Sequence, residues 1–218
     1  MDVEAPLGII TLAAPRRRSP STDTMRAIIA ALREPSGEND EVRVAIVRAE
    51  GPAFSAGTTW PELRDRTLED ERAVFDTCVE LMTAVHDLDR PVIAEVAGAA
   101  FAAGCQLVAT CDLAVASTEA TFSTPACGSG SSARHRWWPS PGGGPQARDE
   151  DAVDRRSDRR GHRRRLGAGQ HAVEPGELAS TVRGLALRIA GSSRSTVSIG
   201  KRAFYAQVDA AGTRMPTR

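Results

Sequence analysis

Four short apolar runs punctuate the first 125 residues: Gly8 to Leu12 (GIITL), Val42 to Val47 (VRVAIV), Pro91 to Val96 (PVIAEV) and Leu113 to Ala116. Each is too short for a helix and three are rich in β-branched residues, so each reads as a strand. The segments between them have a helical period. Met25, Ile28, Ile29 and Leu32 recur at i, i+3, i+4 and i+7, behind Ser21 or Thr22 as N-cap and with Pro35 beyond the end. A longer helix starts at Thr67, whose spacing to Asp70 fits a capping box, and its apolar face runs through Phe75, Cys78, Val79, Met82 and Val85 to about Leu88. Ala102 to Thr110 reads as a short apolar helix. Strands alternating with helices predict parallel βαβ units, an α/β fold with ligands at the strand ends.

At Pro125 the pattern stops. From Ala126 to His171 there is no Ile, Met or Phe, and Val153 and Leu166 are the only branched aliphatics. Ten arginines, Trp137, Trp138 and the run PSPGGGP stand there instead. Such a stretch cannot offset its ordering entropy by burial and is expected to be disordered. From Val173 the ordinary pattern returns, with one amphipathic helix through Leu178, Val182, Leu185 and Ile189 and another from about Thr196 to Val208. The division expected is a core over 1–125, an Arg/Gly/Pro-rich segment over 126–172, helices over 173–208 and an aberrant tail over 209–218.

The 28 basic and 28 acidic residues cancel, so the whole chain carries no polyanion-binding footprint. Lys201 is the only lysine, and the other basic residues are arginines. Four cysteines with no CxxC pair are too sparse for a disulfide scaffold and predict a reducing, cytoplasmic setting. No uninterrupted apolar stretch reaches membrane-spanning length, and MDVEAPLG carries acids where a signal or transit peptide would carry basic residues. His135, His162 and His171 show no metal-ligand spacing, so no metal is expected.

Two segments carry a chemical design. Phe54-Ser55-Ala56-Gly57-Thr58 follows a strand, and Gly98 to Gln106 (GAAFAAGCQ) joins a strand to a helix N-terminus. Small side chains let a ligand reach backbone N–H groups, and the helix end favours a developing negative oxygen. Two such donors aimed at one carbonyl make an oxyanion hole. From spacing alone, glycine and alanine at tight turns are more often structural.

FSAG after VAIVRAEGPA, followed about forty residues later by PVIAEVAGAAFAAGCQLVATCDLAVAS, resembles the crotonase (enoyl-CoA hydratase/isomerase) superfamily over residues 7–125 and 173–208. The resemblance implies a crotonase-like (ClpP/crotonase) spiral of ββα units, usually a homotrimer or dimer of trimers, here with an incomplete core. It implies an acyl-CoA ligand and no other cofactor. The backbone N–H groups of Thr58 and Ala103 would polarise the thioester carbonyl, and Ala56, Gly57, Thr59, Trp60, Phe101 and Gly104 would line the acyl-CoA. Arg17 or Arg18 would face its phosphates. Where a family hydratase carries two catalytic glutamates, this chain has Gln106 and Ala126, neither able to exchange a proton at neutral pH. Hydration by that mechanism is not expected, and no catalytic side chain is assigned.

Two alternatives stand beside this reading. One is an acyl-CoA isomerase or thioester hydrolase using Glu62 or a water. The other is an interaction protein whose arginines, with Trp137 and Trp138, bind RNA or another polyanion. His86 reads as a dipole-compensating helix-end residue, Glu62 and Asp65 as helix-start acids, and Asp112 as ordering the next turn. The anomalous stretch also admits a shifted frame: codons can be chosen for Gly144 to His162 whose second frame reads GRKRAMKMLLTGDPIDAAT, similar to the family's helix and turn at this place. Residues 126–171 and the tail from 209 are therefore read as frameshifted translation, a matter for the gene's nucleotides.

Overall fold

A computed structural model of the chain describes residues 1–13, 21–33, 41–57, 67–123 and 171–213. The segments expected as strands gather into one six-stranded sheet. Its members are β1 (Asp2–Glu4), β2 (Leu7–Leu12), β3 (Val44–Ala49), β5 (Val92–Val96), β7 (Leu113–Ser117) and β9 (His171–Val173), side by side in that order. β1 pairs antiparallel with β2, and every later pairing is parallel. Val92, Ile93 and Ala94 in the middle strand are fully buried, as a parallel strand covered on both faces must be.

Strand alternation sends the side chains to two cores. Ile10, Leu12, Ala45, Val47, Ala94, Val96 and Ala114 lie in one core with residues of helices α1 (Thr22–Arg33), α2 (Leu68–Asp87) and α3 (Ala103–Thr110). Leu7, Val44, Ile46, Ile93 and Val115 lie in the other with Leu178, Val182 and Ala186 of α4 (Leu178–Ala190), which follows a 3-10 turn, Pro175–Glu177. A smaller parallel sheet is made from β4 (Ala53–Ser55), β6 (Ala99–Phe101) and β8 (Phe122–Ser123). Each of these follows a strand of the large sheet, so β3–β4–α2 and β5–β6–α3 are successive ββα units and β7–β8 begins a third. That is the spiral the resemblance implies. Gly98 turns the chain between β5 and β6, where any side chain would collide with the Pro52 carbonyl.

The helix starts follow local chemistry. Ser21 Oγ accepts the Thr24 N–H at 3.2 Å, and Met25, Ile28, Ile29 and Leu32 are buried. Thr67 and Asp70 form the expected capping box. The buried face of α2 differs from the expected one: Val74, Thr77, Leu81, Ala84 and Val85 are inside, Phe75, Cys78 and Met82 are half-buried, and Val79 is 43% exposed. Thr77 makes this possible because its hydroxyl bonds back to the Ala73 carbonyl at 2.8 Å. A polar residue that satisfies itself within its own helix can face a core.

Residues 171 and 172, expected to lie in the disordered stretch, pair with Val115 and Ala116 of β7. An edge strand takes its order from main-chain pairing and needs no periodic side chains. The last helix, α5, spans Arg194–Thr213, past the expected end at Val208. Ala210 and Ala211 are strong helix formers, and extending an existing helix is far easier than starting one. The remainder of 126–172 and residues 214–218 lie outside the described residues.

A row of polar residues, Arg194, Ser198, Lys201 and Tyr205, ties α5 to the body. Lys201 Nζ donates to the carbonyls of Val85 (3.0 Å) and Arg90 (3.1 Å) and to Asp112 Oδ2 (2.9 Å), so all three ammonium protons are used. Tyr205 donates to Asp112 Oδ1 at 3.1 Å, and Arg194 pairs with Asp89 at 3.0 Å. Ser198 is buried.

Candidate functional site

The two glycine- and alanine-rich segments meet. Ser55 ends β4 with its side chain buried, and its Oγ accepts the Gly57 N–H at 3.2 Å. Gly57 has φ +91°, a conformation glycine adopts without penalty. A Cβ placed on it would stand 2.7 Å from Ala102 Cβ, 3.2 Å from the Phe101 carbonyl and 3.3 Å from the Ala103 nitrogen. Gly104, in the first turn of α3, is as close to the other side: a Cβ there would lie 2.5 Å from Ser55 Cβ and 2.7 Å from its Oγ. The loop after β4 therefore packs on the start of α3 with no room for a side chain at either glycine.

Ala102 enters α3 with φ 48° and ψ −122°, and it is the only non-glycine with positive φ among the described residues. No side chain caps this helix start. A backbone held in such a region stores on the order of 1–3 kcal/mol and persists only where the surroundings impose it. As the first helical residue, Ala103 carries an N–H with no acceptor inside the helix. Ala103 and Phe101 are half-buried, Gly104 is buried and Ala56 is exposed, so this corner borders solvent. Gln106 sits one turn into α3, half-buried, its carbonyl accepting from the Thr110 hydroxyl at 2.9 Å. Thr58, Thr59, Trp60, Glu62, Asp65, Arg17, Arg18, Ala126, His135, Trp137, Trp138 and His162 lie outside the described residues.

The other candidates are elsewhere. His86, in the last turn of α2, bonds through Nδ1 to Asp87 at 2.7 Å, and its ring centroid lies 4.1 Å from that of Tyr205. Asp112, expected to order the next turn, instead bonds to distant elements: its Oδ2 accepts the Val92 N–H at 2.7 Å as well as the Lys201 ammonium. Burial and the Asp112 charge push the Tyr205 phenol up, and burial raises the thiols of Cys111 and Cys78. Neither this phenol nor these two thiols is a ready proton donor or nucleophile near pH 7.

Sequence reasoning passed over Glu95. Burial raises its carboxyl above the ordinary range, and Arg48 on the neighbouring strand lowers it in part. Arg48 Nε in turn donates to Thr11 Oγ1 at 3.1 Å. Strand alternation points Glu95 to the same side as Ile93, toward the α4 core, whereas α3 and Phe54 belong to the opposite core. The sheet thus separates Glu95 from Ala103. Its only sequence signal was a carboxylate inside a run otherwise fit for a core. Among the described residues no three His, Cys, Asp or Glu side chains gather as a metal site, and no helix is long and apolar enough to cross a membrane.

Successive ββα units wound so that strand-to-helix corners stack are the crotonase architecture. The family model for enoyl-CoA hydratase/isomerase matches residues 2–143, and the chain belongs to that family. It is similar to the enoyl-CoA hydratase domain-containing protein 3, mitochondrial, of Mus musculus, 34% identical over 212 residues, covering 91% of this chain and 67% of the relative. The protein of the same name from Danio rerio is 47% identical over 120 residues, covering 53% of this chain and 40% of the relative. The chain thus spans about two thirds of one relative's length and two fifths of the other's. The crystal structure of human enoyl Coenzyme A hydratase domain-containing protein 3 superposes with a TM-score of 0.80 at 29% identity, covering 97% of this chain and 88% of that one. The cytoplasmic expectation is overturned: both relatives carry "mitochondrial" in their names. Sparse cysteines with no CxxC spacing separate oxidising from reducing compartments and cannot tell one reducing compartment from another.

Proposed function

We propose that this chain binds acyl-CoA thioesters at the corner between β4 and α3, with the thioester oxygen accepting from the N–H groups of Thr58 and Ala103. The observation that carries the reading is the approach of Gly57 to the Ala103 nitrogen, which brings two backbone segments within reach of one small ligand group. The start of α3 adds a favourable field for negative charge on that oxygen. In this reading Ala56, Thr59, Trp60, Phe101 and Gly104 lie along the ligand, and Arg17 or Arg18 faces its phosphates. Gln106 is a hydrogen-bonding residue with no proton to exchange, and Ala126 has no polar group, so the protein is a binder or a catalyst of another thioester reaction, and not a two-glutamate hydratase.

Calorimetric titration with crotonyl-CoA, followed by spectrophotometry of the same mixture, tests this. Saturable binding without loss of the conjugated double bond is expected. Absence of binding, or hydration at rates usual for an enzyme, overturns it. Release of free thiol in the same mixture identifies a hydrolase.

A further inference from the structure

We infer that Ser55 is the positioning residue of this corner, setting where the ligand's carbonyl oxygen is held. The inference rests on the thioester reading above. Ser55 touches both halves of the site. Its hydroxyl accepts the Gly57 N–H at 3.2 Å, which bends the loop into its φ of +91° and holds Gly57 against Ala102 and Ala103. Its Cβ, carbonyl and Oγ fill the space where Gly104 lacks a side chain, so the first turn of α3 rests directly on it. Ser55 is also a strand residue, paired with Ala100 of β6, and only 1% of its surface is exposed. It is therefore a buried post between a loop and an uncapped helix start, and it acts on the ligand only through them. A site whose donors are main-chain groups has no side chains of its own to aim them. A hydroxyl one residue outside the loop, locked in a sheet, supplies that aim.

A ligand pair isolates this role. Butyryl-CoA carries the thioester oxygen, and S-butyl-CoA, the thioether, lacks it. The ratio of their dissociation constants measures what the carbonyl contact contributes, independent of how the CoA portion binds. For the full wild-type chain the ratio is expected to favour the thioester by about tenfold, as two neutral hydrogen bonds would. Ser55→Ala removes the acceptor and should bring the ratio down to about twofold, with S-butyl-CoA affinity within about twofold of wild type. Ser55→Cys, whose sulfur is a weaker acceptor in nearly the same space, should fall between them. A merely structural role would weaken both ligands alike and leave the ratio unchanged, which overturns the inference. An unchanged ratio with undiminished affinities in both variants also overturns it, while leaving the thioester reading intact. A wild-type ratio near one overturns both together.

Discussion

Gly57 and Glu95 show how a single residue can be judged only by what stands across from it. Gly57→Ala would place a methyl 2.7 Å from Ala102 Cβ on a backbone at φ +91°, so a loss of roughly 1–3 kcal/mol is expected, read as a lower urea midpoint, together with loss of butyryl-CoA binding. Glu95 illustrates the opposite case, a residue that weakens the fold at neutral pH. Its carboxyl is raised in the folded chain, so the stability linked to its protonated form is present below the unfolded value, about 4.3, and is lost as pH rises through the folded value. Glu95→Gln should therefore raise the urea midpoint at pH 7 and leave it nearly unchanged at pH 4. An equal gain at both pH values would show that the charge is not the cause.

Among the elements, those governed by near neighbours in sequence were legible. The Thr67–Asp70 box and the stripe of Met25, Ile28, Ile29 and Leu32 are decided within a few residues, and the structure has both. The α2 face and the start of β9 are decided by partners far along the chain, and neither could be read. The corner between β4 and α3 sits between these cases: its two motifs are visible as sequence, but their contact depends on glycines whose neighbours come from a different ββα unit. Helix α5 is the clearest non-local element. Its attachment uses a polar stripe where a periodicity search looks for an apolar one. Lys201 and Asp112 expose only 6% and 15% of their side chains, so removing one partner strands a buried charge. Lys201→Met should cost about 3–5 kcal/mol and, in hydrogen exchange, unprotect α5 before the sheet. Asp112→Asn with Lys201→Met together should cost less than the two single changes summed, since the pair leaves as a unit.

At the scale of the whole molecule, one sheet serves two cores, and β5 contributes to both. Ile93 belongs to the α4 side while Val92 and Ala94 belong to the other. Ile93→Ala should destabilise the chain by about 2–5 kcal/mol and shift the far-UV circular dichroism and α3 hydrogen-exchange transitions together, because the two layers cannot separate without breaking the strand they share. The class of fold was legible from the order of strands and helices. The division of the strands into two sheets was not, because β4, β6 and β8 are three, three and two residues long, too short to show a strand's alternation. The sole lysine of the sequence is one of these long-range contacts, and it gives the molecule an unusual chemical surface. Acyl thioesters spontaneously acylate accessible lysine amines, and in this chain that amine is enclosed by Val85, Arg90 and Asp112. Arginine carries the remaining side-chain positive charge without offering an amine, so this sequence presents no open side-chain amine to a reactive thioester. Any acylation found on Lys201 would then record the moments when the last helix had lifted away.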